Sequence, residues 1–126
     1  MPLVRIALRK GKTAAYKNAL TTEIYQAMRE VFDVPEEDRF VVISEHDEDT
    51  FCFSDSYLGI ARSNDLVIIQ ITANNTRTVE KKKALFARIA DRLAASPGVR
   101  REDVFINLVD VPKENWSFGN GIAQYA

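Results

Sequence analysis

Leu3-Val4-Arg5-Ile6-Ala7-Leu8 returns as Leu66-Val67-Ile68-Ile69-Gln70-Ile71, an offset of about 63 residues. Both runs are short, apolar and rich in branched side chains, the pattern of strands. Each leads through a short polar segment to a helix-length stretch, then to a charged turn and a second apolar run. In the first copy the turn is Val34-Pro35-Glu36-Glu37-Asp38-Arg39, followed by Phe40-Val41-Val42-Ile43. In the second it is Val99-Arg100-Arg101-Glu102-Asp103, followed by Val104-Phe105-Ile106-Asn107-Leu108-Val109. The offset grows to about 65 residues by this point, which reads as one small insertion between two copies of one unit.

Period identifies the helices. Leu20, Ile24, Ala27, Met28 and Val31 recur at three- and four-residue spacing and make one apolar face, with Thr13 as the amino-terminal cap and Pro35 preventing continuation. Leu85, Phe86, Ile89, Ala90 and Leu93 repeat the stripe, capped by Thr78 and stopped by Ser96-Pro97-Gly98. Lys81, Lys82, Lys83 and Arg92 read as the solvated side.

Strand, helix and strand with a crossover of this length is a β-α-β unit with parallel strands and a right-handed connection. The expected class is α/β (α+β): units at about 2–46 and 65–111 in a single domain over 1–126, forming a four-stranded mixed sheet with both helices on one face. The other sheet face is then bare, yet Leu66 to Ile71 is apolar at nearly every position, as in strands covered on both sides. Further copies of the chain are the economical cover, so a homo-oligomer is expected.

The linker from about Asp47 to Asn64 carries Phe51, Phe53, Tyr57, Leu58 and Ile60 and is too apolar for a tether. It is expected to pack, with a short strand around Tyr57 to Ile60, and Arg62 reads as a linker or interface residue. The tail, 114–126, gathers Trp116 and Phe118 with Gly119 and Gly121, which suggests a turn or hairpin and either core filler, an oligomer clasp or a pocket wall.

Composition narrows the function classes. Of the 126 residues, 46% are apolar and 28% charged, with a net charge of −1, so nothing favours nucleic acid or an anionic membrane. The longest uncharged apolar run, Leu66 to Ala73, is far short of a membrane span, and basic residues interrupt any signal-peptide pattern. The lone Cys52 reads as a small core residue that fits a reducing compartment, so a cytoplasmic location is expected. His46, the single histidine, has no partner at metal or triad spacing, and no metal site is expected.

Pro2 follows the initiator methionine. Removal of Met1 would leave it a secondary amine held at the start of a strand, where burial and a nearby charge could make it a base or a persistent acid. A proline in this position usually has no role, and it acquires one here only in company.

That company exists. The doubled unit, Pro2, Asp38-Arg39-Phe40 before the second strand, and Trp116-Ser117-Phe118-Gly119-Asn120-Gly121 resemble the tautomerase superfamily along the whole chain, and within it the malonate semialdehyde decarboxylase branch. The resemblance implies a tautomerase-like fold, a homotrimer, and a cofactor-free enzyme (isomerase or decarboxylase) acting on a small carboxylate-bearing oxo acid or its enol. It implies Pro2 as acid/base, Asp38 as its support, and Arg77 as the grip on the substrate carboxylate. Trp116 and Phe118 would form a hydrophobic wall. Arg77 matches the second of two arginines in the branch; the first falls near Asn75, which is not an arginine and could instead donate to a substrate oxygen. Keto–enol tautomerisation is the principal expectation and decarboxylation by a protonated Pro2 the alternative. A non-catalytic oligomeric binding protein, and a regulator that binds acidic metabolites through Arg77, complete the possibilities.

Overall fold

Val4, Ile6 and Leu8 alternate with Leu3, Arg5 and Ala7, and only the first set is buried, which gives the first strand one core face. The computed structural model describes residues 2–126. In chain order the elements are β1 (Leu3–Arg9), α1 (Ala14–Phe32), β2 (Val41–His46), β3 (Val67–Asn74), α2 (Val79–Ala95) and β4 (Val104–Val111). The sheet runs β2-β1-β3-β4. Pairing is parallel within each unit and antiparallel between β1 and β3, so the sheet is mixed.

Both helices cover one face. Leu20, Ile24 and Met28 of α1 and Leu85, Ile89 and Leu93 of α2 pack with Val4, Ile6, Ile69 and Ile71 in a single cluster. The caps follow the sequence: Thr13 Oγ1 accepts from Tyr16 N at 3.1 Å and Thr78 Oγ1 from Lys81 N at 3.2 Å. Arg92 is not on a merely solvated side. It is half-buried, binding Glu23 at 2.7 Å and also Glu30, which ties α2 to α1.

Strand register refines the duplication. Val4 lies beside Val41 and Val67 beside Val104, so the copies are 63 residues apart in both strands. Only the helix caps Thr13 and Thr78 are 65 apart, because the extra residues lie between β3 and α2. A shorter α2, 17 residues against 19 in α1, absorbs them. Asp103 is therefore in register with Phe40 and not with Asp38. It is fully buried and accepts from Ser63 N at 2.7 Å and Ser63 Oγ at 2.6 Å, pinning the linker to the second unit.

The linker departs from expectation at Tyr57–Ile60, where no strand forms. Tyr57–Gly59 is a 3-10 turn with Leu58 at φ 61°, a left-handed conformation incompatible with a strand. Tyr57 and Leu58 are exposed there, and Phe51 supplies the buried contact. Arg62 holds the loop by donating to Tyr57 O at 3.0 Å. Cys52 is exposed and not a core residue. The tail forms no hairpin strands: after a 3-10 turn at Lys113–Asn115, Gly119, Asn120 and Gly121 all take positive φ and reverse the chain.

On the far sheet face Ile68 is half-buried, and Val42, Phe105 and Val109 are 46%, 45% and 36% exposed. No helix among the described residues is long and apolar enough to cross a membrane.

Candidate active site

One end of the sheet gathers the sequence-predicted residues. The antiparallel register sets Leu3 beside Thr72, so Pro2 lies where β3 ends. Val4 N donates to Phe40 O at 3.0 Å, bringing the turn before β2 to the same end. Asn74 lies beside Val111 and Asn75 N donates to Val111 O at 2.9 Å, so the tail departs from there as well.

Pro2 is buried and lines a cavity of about 200 Å³ with Leu3, Phe40, Trp116, Ser117 and Phe118. The cavity is walled mainly by apolar groups. Trp116 and Phe118 stack, their ring centroids 5.3 Å apart, and Tyr125 meets Phe118 edge-on at 5.0 Å.

Asp38 is 4% exposed, in a tight turn where its own N–H donates to Pro35 O at 3.1 Å. Burial holds its carboxyl above the ordinary carboxylate range, and the positive charge of Arg77 opposes that rise. Arg77 feels the converse. Burial lowers its guanidinium pKa, against the pull of Asp33, Asp38 and Asp110.

Arg77 does not line the Pro2 cavity. It lines a neighbouring cavity of about 370 Å³ together with Phe32, Asp33, Thr76 and Lys81. There its Nη2 donates to Phe32 O at 2.9 Å and its Cζ lies 4.6 Å from the Phe32 ring centroid. Lys81 Nζ donates to Val31 O at 3.2 Å, so two cations satisfy carbonyls left open at the end of α1. Asn75 is exposed and lines neither cavity.

The arrangement can exclude water from Pro2 and offer a guanidinium fork next door, while Asp38, in the turn at the same end of the sheet, lines neither cavity. Among the described residues no cluster of three or more His, Cys, Asp or Glu is placed to hold a metal ion. His46 contacts Thr50 Oγ1 at 3.3 Å, in the linker.

Four residues escape the sequence reading. Leu3, Phe40 and Ser117 line the Pro2 cavity. Asn74 is 7% exposed, and its Oδ1 accepts from Trp116 Nε1 at 2.7 Å. Phe40 and Ser117 lie inside the motifs quoted above and could have been chosen from them. For Asn74 the sequence carried no signal, since alternation along β3 places it opposite the buried set that ends at Ala73.

Residues 38–119 match the protein family described as tautomerase enzyme, and residues 2–61 match a second family of that description. A probable tautomerase, YusQ of Bacillus subtilis (strain 168), is 44% identical over 98% of both chains. FG41 malonate semialdehyde decarboxylase, in a structure inhibited by 3-bromopropiolate, superposes with a TM-score of 0.91 at 36% identity, over 98% of this chain and 93% of that one. A malonate semialdehyde decarboxylase described for decarboxylase and hydratase activities gives a TM-score of 0.92 at 29% identity, over 98% and 95%.

Proposed function

The chain belongs to the tautomerase enzyme family, and from that membership we propose that it is a cofactor-free keto–enol tautomerase with Pro2 as its acid/base. Removal of Met1 is the precondition, since an amide nitrogen cannot accept the proton. The observation that carries the reading is the burial of Pro2 in a mainly apolar cavity. Desolvation disfavours the charged form of an amine. Burial acts on Asp38 in the same sense, raising its carboxyl pKa.

Neutral Pro2 then takes the hydroxyl proton of a small enol acid as the carbonyl forms. It returns the proton to the adjacent carbon, and the carbon–carbon π pair becomes the new C–H bond. Arg77 offers a planar fork for the carboxylate, and the stacked Trp116 and Phe118 exclude water. Asn75, two residues before Arg77 and exposed, is the proposed donor to a substrate oxygen.

The likeness to malonate semialdehyde decarboxylases favours a second reading, in which Pro2 stays protonated and accepts charge as carbon dioxide leaves. Ketonisation of phenylenolpyruvate and decarboxylation of malonate semialdehyde, measured for processed wild type and Pro2→Ala, separate the two. The tautomerase reading expects ketonisation to fall by roughly 10²- to 10⁴-fold in the variant. Equal rates for both proteins on both substrates would leave a binding protein that has lost the chemistry.

The chain is further proposed to work as a homo-oligomer, with a trimer expected, in the cytoplasm. Support comes from Val42, Phe105 and Val109 on the uncovered sheet face and from the single exposed cysteine, which suits a reducing compartment.

A further inference from the structure

The tail that walls the Pro2 cavity is joined to the body of the fold in an unusual way. Among the described residues, the backbone hydrogen bonds of Trp116 and of everything after it stay within 113–126: Trp116 N to Lys113 O at 3.4 Å, Ile122 N to Gly119 O at 3.4 Å, Ala126 N to Ala123 O at 3.2 Å. Gln124 closes the reversal from within, accepting from Phe118 N and donating to Gly119 O, each at 3.0 Å. Among the described residues, one hydrogen bond ties Trp116 or any later residue to the sheet: the indole N–H of Trp116 donates to Asn74 Oδ1 at 2.7 Å.

Asn74 is well made for this. It is the last residue of β3, 7% exposed, and its backbone is fixed by pairing with Val111. Its oxygen is therefore held by the sheet, at the strand end that meets Pro2. Phe118 stacks on the indole and so inherits its position. A roof attached at one directional point keeps its place only while that point holds.

We infer that Asn74 is a positioning residue that fixes Trp116, and through it Phe118, as the roof over Pro2. It sets the closed, water-excluding form of the cavity without touching the reacting atoms. The inference deepens the Pro2 reading and rests on it for its catalytic consequence, but the structural part stands alone. A net hydrogen bond of this kind corresponds to a roughly 2- to 10-fold preference for the latched roof.

Trp116 is the only tryptophan, so its fluorescence reports on the roof with no background. Asn74→Leu keeps the volume and removes the acceptor, and is expected to shift the emission to the red and raise acrylamide quenching while far-ultraviolet circular dichroism stays native. Asn74→Asp, which retains an oxygen acceptor, is expected to restore the wild-type quenching. In the activity assay Asn74→Leu and Trp116→Phe are each expected to raise KM roughly 2- to 10-fold more than they lower kcat, and the double variant to add nothing. Trp116→Phe approaches the bond from its half-buried donor, so the test holds where a change at Asn74 prevents folding. Unchanged quenching in Asn74→Leu, or KM effects that multiply in the double variant, would overturn the inference. Loss of dependence on Pro2 in the wild type would instead overturn the catalytic reading, and the fluorescence result would remain.

Discussion

The charges of Asp38 and Arg77 act on one another, and each group is shifted chiefly by burial. For Asp38 this has a measurable sign. Its folded pKa lies above the unfolded one, so the native state holds the proton more tightly. Stability is greatest below the ordinary carboxylate value and falls as pH rises through the raised one. Asp38→Asn should flatten that slope. Its melting temperature relative to wild type should rise between acidic and neutral pH, and a relative fall would contradict the assignment. Arg77 does two jobs in this account, gripping a carboxylate and capping α1 through Phe32 O. Arg77→Ala is expected to raise KM and to lower stability by about 0.3–1 kcal/mol, the range for a cation at a helix carboxyl end. Arg77→Lys should recover part of the stability and less of the KM, because the ammonium lacks the fork. Pro2, Trp116 and Phe118 were legible in the sequence because they stand in a distinctive combination of residues. Asn74 was not, because nothing in Asn74-Asn75 says which side chain turns inward. Register decides it, and register is a property of the assembled sheet.

At the scale of elements, period carried the sequence reading: each strand and helix with a regular apolar repeat is present. The misreadings have local physical causes. The left-handed Leu58 converts an apolar run into a turn, and a shorter α2 cancels the inserted residues, so that Asp38 and Asp103 share a sequence motif but not a position. Arg92 looked solvent-bound because a helix carries charge on both its outer face and its flanks. In fact Glu30 of α1 receives Arg88 Nε at 2.5 Å and also Arg92. Those arginines, Arg88 foremost, lower the Glu30 pKa to about 2. The contribution of this carboxylate is present above the ordinary carboxylate value and is lost as pH falls toward about 2. Glu30→Gln should therefore melt below wild type at neutral pH, with the gap closing in acid and narrowing in high salt. A gap independent of both would mean that packing, and not charge, joins the helices.

At the scale of the whole molecule, the sheet is covered by helices on one face only. The apolar character of β3 pointed to cover for the bare face but could not show which residues would remain exposed on it, since that depends on strand order. Phe105 of β4 and Val42 of β2 are exposed on the two outer strands of that face. Sedimentation of the processed protein should give a mass that is a multiple of 14.3 kDa, and Phe105→Glu should shift it to the monomer. A wild-type monomer would contradict the oligomer proposal. A proline amine kept neutral by apolar burial is the proposed centre of the chemistry. The most direct test is a pH titration of the Pro2 nitrogen by nitrogen-15 NMR on protein whose Met1 has been removed. The account expects a midpoint below neutrality, under the roughly 8 of an unperturbed α-amino group. A midpoint well above that value would contradict it, making Pro2 a standing acid.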